Sequence, residues 1–172
     1  MSSGLVADLA AILDRDLNAL RRELEAYPDE PAVWREVPGM PNSGGTLALH
    51  LAGNLQHYLG AQLARTGYVR DRDAEFTRRS VPRAELLAEV ERARAAVRAG
   101  LSALEPGALE RDFPEAILQT RVRTGEYLVH LCVHFAYHLG QLDAHRRAVT
   151  GVAGGVGAMR LAELGSARPA PR

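Results

Sequence analysis

Apolar side chains recur at intervals of three and four residues in four stretches of the chain, the spacing that lines one face of an α-helix. In the first stretch, for example, the repeat runs from Leu5 to Leu24. The pattern predicts four helices of similar length, over about residues 5–24, 43–65, 82–104 and 124–149.

The ends of these helices are predicted from polar caps and prolines. Side chains that can accept a hydrogen bond from the free amides of a first helical turn precede the last three helices. These candidate caps are Asn42 or Ser43, Ser80, and Thr124. Glu126 follows in the first turn of the last helix, where a carboxylate complements the helix dipole.

The segments between the helices are expected to be irregular. Prolines at positions 31, 38 and 41 predict a loop after the first helix. Residues 67–76 form a polar connection, and residues 105–123 are expected to be a loop or a short hairpin. We expect one domain over residues 1–150, followed by a glycine-rich tail over residues 151–172 that frays and is only partly ordered.

The fold class that follows is all-α, with four helices packed as a bundle. Long connections after the first and third helices mean that the order need not be up-down-up-down. Bundles of this kind hold their ligands between facing helices.

Composition excludes several classes of function. Acidic and basic residues are equal in number, and every basic residue is an arginine spread among acids, so no nucleic-acid-binding face is expected. The single Cys132 cannot form an internal disulfide. No apolar span of about 20 residues and no secretory signal is present, so we expect a cytoplasmic protein without a membrane segment.

The fourth predicted helix carries His130, His134 and His138 at four-residue intervals. Residues four apart lie on one helical face, where two histidines can bind one ion. Each such step turns about 40° around the axis, so one ion is expected to take two of the three. His50 stands among leucines in the second helix, which could bring it opposite the pair. The sequence predicts a three-histidine metal centre with open coordination positions.

The alternative is that these histidines are ordinary surface residues. Against it stands the free-energy cost of burying several unpaired imidazoles, which a shared metal would remove. His130 is then a core or outer histidine, and His57 lies at the cavity mouth or at the surface. Asn54 is expected to be a buried hydrogen-bonding group. Further side chains within reach of the centre on the fourth helix are Tyr137, Gln141 and Asp143, and the role of His145 stays open.

Three segments of the chain resemble the DinB superfamily of metalloproteins, also called DinB/YfiT-like. Residues 46–54, Thr-Leu-Ala-Leu-His-Leu-Ala-Gly-Asn, are similar to the motif of its second helix. Residues 134–142, His-Phe-Ala-Tyr-His-Leu-Gly-Gln-Leu, are similar to the motif of its fourth helix. Residues 68–76 are similar to a segment found in one branch. The resemblance covers about residues 5–149.

The resemblance implies a four-helix bundle in up-down-down-up order, a homodimer, and a divalent metal held by His50, His134 and His138. Zinc or nickel is the expected ion, with manganese or iron as alternatives, since three imidazoles accept each of them. Related proteins transfer low-molecular-weight thiols such as mycothiol or bacillithiol, and others are hydrolases. A guanidinium near the mouth, such as Arg70 or Arg72, could bind a carboxylate of the thiol or of the substrate.

The resemblance thus implies a metal-dependent thiol S-transferase, in which the metal-bound thiol is the nucleophile. The alternatives are a metal-dependent hydrolase of a small substrate and a non-catalytic bundle in which the site supports folding or dimerisation. A ferritin-like di-iron centre needs paired Glu-x-x-His motifs, and the chain has none. Cys132 is expected to be a core residue and not a nucleophile.

Overall fold

The computed structural model describes residues 2–170, and their regular elements are helices. Six α-helices, labelled α1 to α6, are Ser2–Glu25, Glu30–Trp34, Gly44–Leu55, Arg72–Thr77, Arg83–Ser102 and Thr124–Thr150. α3 continues without a break as a π-helix over Gln56–Leu63. The all-α prediction is confirmed for these residues, and the four predicted helices correspond to α1, α3 with its π-helical extension, α5 and α6.

These four long helices pack around one apolar core. α1 contacts α5 and α6, and α3 contacts the same two helices from the other side. Leucines dominate the buried faces, and several have no exposed surface at all. Burying a leucine side chain contributes about 1.5–3 kcal/mol to folding, so these faces supply most of the driving force. No helix among residues 2–170 is long and apolar enough to cross a membrane.

Two short helices, α2 and α4, form in segments that were predicted to be irregular. In α2 the Asp29 carboxylate accepts a hydrogen bond from the Ala32 amide, and Pro31 lies in the first turn, where a proline is tolerated. In α4 the Asp71 carboxylate caps the helix in the same way, through the Ala74 amide. Each helix is too short to show an apolar repeat, which is why the periodicity missed it.

The predicted caps are partly wrong. Ser43 does cap α3, because its hydroxyl accepts a hydrogen bond from the Thr46 amide. Ser80 lies before the start of α5 with a left-handed φ of 55°, and the residue at the cap position is Pro82. Thr124 is the first residue inside α6, and Arg123 takes the cap position without a side-chain hydrogen bond.

Residues 105–123 contain a short 3-10 turn, Ala108–Glu110, followed by a hairpin-like loop. Two isolated antiparallel bridges join its arms, Asp112 to Arg123 and Ile117 to Thr120. The buried Phe113 ring anchors the loop against the Tyr127 ring of α6, with the ring centroids 4.6 Å apart. The prediction of a loop or short hairpin is therefore confirmed, and the hairpin is too short to form a sheet.

The C-terminal tail lies along α1 and α6 through arginine side chains. Arg22 donates to the Gly157 carbonyl oxygen at 3.0 Å, and its guanidinium lies 3.2 Å from the Glu163 carboxylate. Arg146 donates to the Gly154 carbonyl oxygen, also at 3.0 Å. These contacts connect the tail to both helices.

A buried ion pair joins α1 to α6 beneath this tail. Arg146 and Glu23 are 2% and 0% exposed, and the Arg146 guanidinium donates to the Glu23 carboxylate. Burial raises the pKa of Glu23 to about 7, against the opposing effect of the Arg146 hydrogen bond. The carboxylate therefore depends on this partner to stay charged.

We expect Arg146→Met to lower the free energy of unfolding by about 3–5 kcal/mol, because it leaves the Glu23 carboxylate buried without its cation. Arg147→Met is the matched control, since Arg147 is 42% exposed and its ion pair with Asp143 lies at the surface. The control should cost less than about 1 kcal/mol. Urea unfolding of both variants measures the difference, and equal losses would contradict this account.

Candidate metal centre

Helix α3 is buried along its whole length, from Gly44 to Leu55. His50 lies in its middle and is 6% exposed. A buried polar group without a hydrogen-bond partner costs about 1–3 kcal/mol, so both ring nitrogens of His50 need partners inside the protein. The neighbours of His50 therefore define the site.

Three of the predicted site residues come together. His50 on α3 faces His134 and His138 on α6, and one ring nitrogen from each of the three lies within 4.8 Å of the other two. The two Nε2 atoms of His50 and His134 are 3.3 Å apart. The predicted pairing of the second helix with the fourth is realised by the packing of α3 against α6.

The spacing of the His50 and His134 nitrogens fits a divalent ion. Zinc binds histidine nitrogens at about 2.0–2.1 Å with tetrahedral angles, which places two ligand nitrogens about 3.3 Å apart. The His50 and His134 nitrogens meet this distance. The three imidazoles can therefore hold a metal ion, and their neutral nitrogens suit zinc, nickel and related ions alike.

Two side chains outside the cluster fix the ring orientation of two of the histidines. The Glu75 carboxylate accepts a hydrogen bond from His50 Nδ1–H at 3.0 Å. The Gln141 side-chain oxygen accepts one from His138 Nδ1–H at 2.7 Å. A histidine that donates from Nδ1 keeps a lone pair on Nε2, which is the atom a metal needs. Of the side chains predicted within reach of the centre on the fourth helix, Gln141 is thus the one that hydrogen-bonds to the cluster.

Glu75 is the site residue that sequence reasoning missed. It lies on α4, is 6% exposed, and accepts hydrogen bonds from Arg70 Nε and Nη2 at 2.7 and 2.8 Å. Burial raises the pKa of this carboxyl, but the hydrogen bonds from Arg70 and His50 outweigh it and hold the pKa below its usual range. Its only sequence signal was its place in the polar segment 68–76.

The two arginines predicted near the mouth have different surroundings. The carboxylate that Arg70 binds in the structure is that of Glu75, and the Arg70 side chain is only 10% exposed. Arg72 is exposed and lies over the Phe76 ring, 5.0 Å from its centroid. Of the two, Arg72 is therefore the one accessible to a substrate.

The two α6 histidines of the cluster are held in their neutral form. Burial, and the nearby His138 and His50, lower the pKa of His134 to about 4. Burial also lowers the pKa of His138, against the opposing hydrogen bond to Gln141. Both rings are half-buried, so one side of the cluster faces solvent.

The remaining three histidines lie outside the cluster. His130 is exposed and stacks on Tyr127, with ring centroids 5.7 Å apart. His57 lies in the π-helix, and its Nε2 is 2.7 Å from a carboxylate oxygen of Glu115 in the hairpin-like loop. π-Helical turns are rare in proteins, and those that do occur are often found at functional sites. Here the turn places His57 against the loop.

His145 is a structural histidine. It is fully buried, its Nε2–H donates to the Arg35 carbonyl oxygen at 2.8 Å, and its Nδ1 accepts from the Tyr27 hydroxyl at 2.7 Å. Burial lowers the pKa of His145 although the Arg35 hydrogen bond opposes this. The histidine stripe seen in the sequence therefore serves two separate purposes along α6.

The other candidates play no direct part in the cluster. Cys132 is buried, and burial raises the pKa of its thiol to about 12, so it is a core residue as predicted and not a nucleophile. Asp143 pairs with Arg146 and Arg147, away from the three rings. Tyr137 is 64% exposed beside the cluster, and Asn54 is buried as predicted.

The helices and the three-histidine cluster are those of a DinB/YfiT-like protein. A family model described as MST, Mycothiol-S-transferase, matches residues 8–151. The chain belongs to the mycothiol S-transferase family, within the DinB/YfiT-like superfamily, which confirms the resemblance seen in the sequence. Comparisons with curated proteins and with solved structures gave no match.

We expect His145→Ala to lower the free energy of unfolding by about 2–4 kcal/mol, because it leaves the Tyr27 hydroxyl and the Arg35 carbonyl without partners. Metal content should not change, since His145 lies outside the cluster. Urea unfolding and elemental analysis test the two statements. His130→Ala, on the same helix but exposed, should alter neither quantity.

The stability of the metal-free protein should fall as the pH drops below about 6.5, the ordinary pKa of histidine. Unfolded His145 takes up a proton there, whereas the folded side chain resists it because its pKa is lowered. The unfolded state then binds more protons, which favours unfolding. His145→Gln, measured with a chelator, should show a shallower loss. An unchanged pH profile would exclude His145 as a contributor.

Proposed function

We propose that this protein is a divalent-metal-dependent thiol S-transferase, with His50, His134 and His138 as the metal ligands and mycothiol as the thiol. The main support is that one ring nitrogen from each of the three histidines points to a common position. Hydrogen bonds to Glu75 and Gln141 orient two of these rings, those of His50 and His138. Membership of the mycothiol S-transferase family supports the choice of thiol. Zinc or nickel is the proposed ion, with manganese or iron as alternatives.

A divalent ion bound here would supply a positive charge that lowers the pKa of a thiol and makes it a stronger nucleophile near neutral pH. The protein's own residues prepare the site for this charge. Glu75 and Gln141 hold protons on the Nδ1 atoms of His50 and His138, so their Nε2 lone pairs stay free. The lowered pKa of His134 keeps that ring uncharged as well, with one nitrogen free of a proton.

The half-buried sides of His134 and His138 support an open site for thiol and electrophile. In the proposed transfer the thiol gives its proton to solvent, its sulfur forms a bond to the electrophilic carbon, and the leaving group departs with the electron pair of the bond that breaks. Arg72, exposed on α4 and close to Phe76, is the residue we propose to contact a carboxylate of either substrate.

The finer architecture also belongs to this proposal. We infer a single domain over residues 1–150, with the four long helices as an up-down-down-up bundle. The contacts of α1 and α3 with both α5 and α6 support a closed bundle. We further propose that the protein acts as a cytoplasmic homodimer, as the family resemblance implies.

Untagged protein purified without nickel resin or chelator should carry about one divalent ion per chain, and His138→Ala should lose it, because two histidines give an incomplete site. His130→Ala is the matched control and should keep the ion, since it removes an exposed histidine of the same helix. Elemental analysis measures the metal. Conjugation of mycothiol to a fluorogenic alkylating agent measures transfer, which should stop with chelator and return with added ion.

The possible results separate the competing functions. Absence of metal from the wild type, even after zinc or nickel is added back, would overturn the three-histidine site. Bound metal without thiol transfer, but with ester or amide hydrolysis, would favour the hydrolase. Bound metal with neither activity, and with lower stability in His138→Ala, would favour a structural metal site.

A further inference from the structure

Two residues of the polar segment 68–76 contact His50. Glu75 accepts the Nδ1–H hydrogen bond of His50, and the Phe76 ring packs on the same imidazole, with the centroids 5.0 Å apart. Asp71 caps the short helix α4 that carries both residues. The segment therefore surrounds His50 on the side away from the other two histidines.

The backbone of α3 is shaped to receive the Glu75 carboxylate. Gly53 lies three residues after His50, on the same face of the helix. A Cβ atom at this position would lie 2.2 Å from Glu75 Oε1 and 2.9 Å from Glu75 Cδ, far inside van der Waals contact. The carboxylate thus occupies a notch that exists only because residue 53 has no side chain.

Arg70 completes the arrangement from the other side of the carboxylate. Its two nitrogens bind both oxygens of Glu75, and its guanidinium lies 5.8 Å from the centroid of the Tyr58 ring. A carboxylate gripped in this bidentate way has a fixed plane and little freedom to rotate. Glu75 can then direct its second oxygen at a single position, which is His50 Nδ1.

We propose that Glu75 is a positioning residue for the metal centre, seated in the Gly53 notch and fixed by Arg70, and that it sets the metal affinity through His50. The inference rests on the proposed metal site but concerns residues that are not ligands. It assigns a function to the segment 68–76: this segment holds His50 in the tautomer and orientation that metal binding requires.

The physical reason is that His50 can bind a metal through Nε2 only when its proton is on Nδ1. Glu75 stabilises that tautomer and, as an anion, makes the ring a stronger electron donor. Loss of such an outer partner of a ligating histidine lowers metal affinity by about 10–100-fold. His134 has no corresponding partner among residues 2–170, because its Nδ1 is buried without a hydrogen bond. Preorganisation of the site therefore depends on His50 and His138.

The test measures cobalt and zinc affinity, by competition with a chelator, in Glu75→Gln and Gly53→Ala. Both variants should bind about 10–100-fold more weakly than the wild type. The visible absorption of bound cobalt should also change, since it reports the geometry of the ligands independently of activity. Gly53→Ala is the sharper variant, because it changes neither a ligand nor the carboxylate itself.

Two matched controls separate positioning from general damage. Glu89→Gln removes another largely buried carboxylate, one that pairs with Gln56 and Arg92 and not with a histidine. It should leave metal affinity unchanged. Gly100→Ala also introduces a colliding Cβ, 2.3 Å from the Leu59 carbonyl oxygen, but the collision is with rigid backbone.

The two glycine variants should therefore show opposite behaviour. Gly100→Ala should lose stability in the metal-free state and keep its metal affinity. Gly53→Ala should keep most of its stability, because the flexible end of Glu75 can move aside, and lose metal affinity for the same reason. Urea unfolding in the presence of chelator gives the stability of each.

The outcomes also distinguish this inference from the proposed function. A wild type that binds no metal would overturn both. A wild type that binds metal, with Glu75→Gln and Gly53→Ala binding as tightly and giving the same cobalt spectrum, would overturn the positioning role alone. Weaker binding in both variants, with Glu89→Gln and Gly100→Ala unaffected, would establish it.

Discussion

The complete burial of α3 is the constraint on which the rest of the site depends. A helix enclosed on all sides leaves no water for its polar side chains, so His50 has to be satisfied by protein groups. One nitrogen is satisfied by a carboxylate from α4, and the other faces the histidines of α6. The same burial that gives the fold its stability therefore fixes the direction of the His50 nitrogen that faces the α6 histidines.

Family membership and geometry contribute different information here. The family suggests a thiol as the class of substrate, but it does not say how this chain orients its imidazoles. The structure supplies that second part through Glu75 and Gln141, which hold one ring each. Glu75 lies on α4 and Gln141 on α6. The site therefore depends on α4, a helix too short to be stable without the rest of the protein.

The long helices could be predicted from the sequence because their apolar repeats extend over many turns. The metal centre was predictable from the four-residue spacing on α6 and the apolar surroundings of His50, but the choice of His134 and His138 over His130 came from the resemblance to the family. α4 was not, because its formation depends on one capping aspartate, Asp71, and on packing against α3. Glu75 was missed for a related reason, since its partner lies 25 residues away and no local pattern links the two.

The stripe of histidines on α6 shows where sequence periodicity stops being informative. His130, His138 and His145 occupy similar positions in the pattern, yet the first is exposed, the second joins the cluster and the third is fully buried. What differs is the element packed against each one, and this depends on the whole fold. Ser80 and Thr124 are not caps, because the position before α5 is taken by Pro82 and the position before α6 by Arg123.

The pairing of Arg70 with Glu75 has a consequence for the charge balance of the centre. The Glu75 carboxylate beside His50 is already neutralised by the Arg70 guanidinium, and burial lowers the pKa of His134 and His138, which keeps these two imidazoles uncharged. A divalent ion at this position would keep both of its positive charges, unlike one held by thiolates or carboxylates. By Coulomb's law, such an ion would bind anions in preference to neutral molecules of the same size.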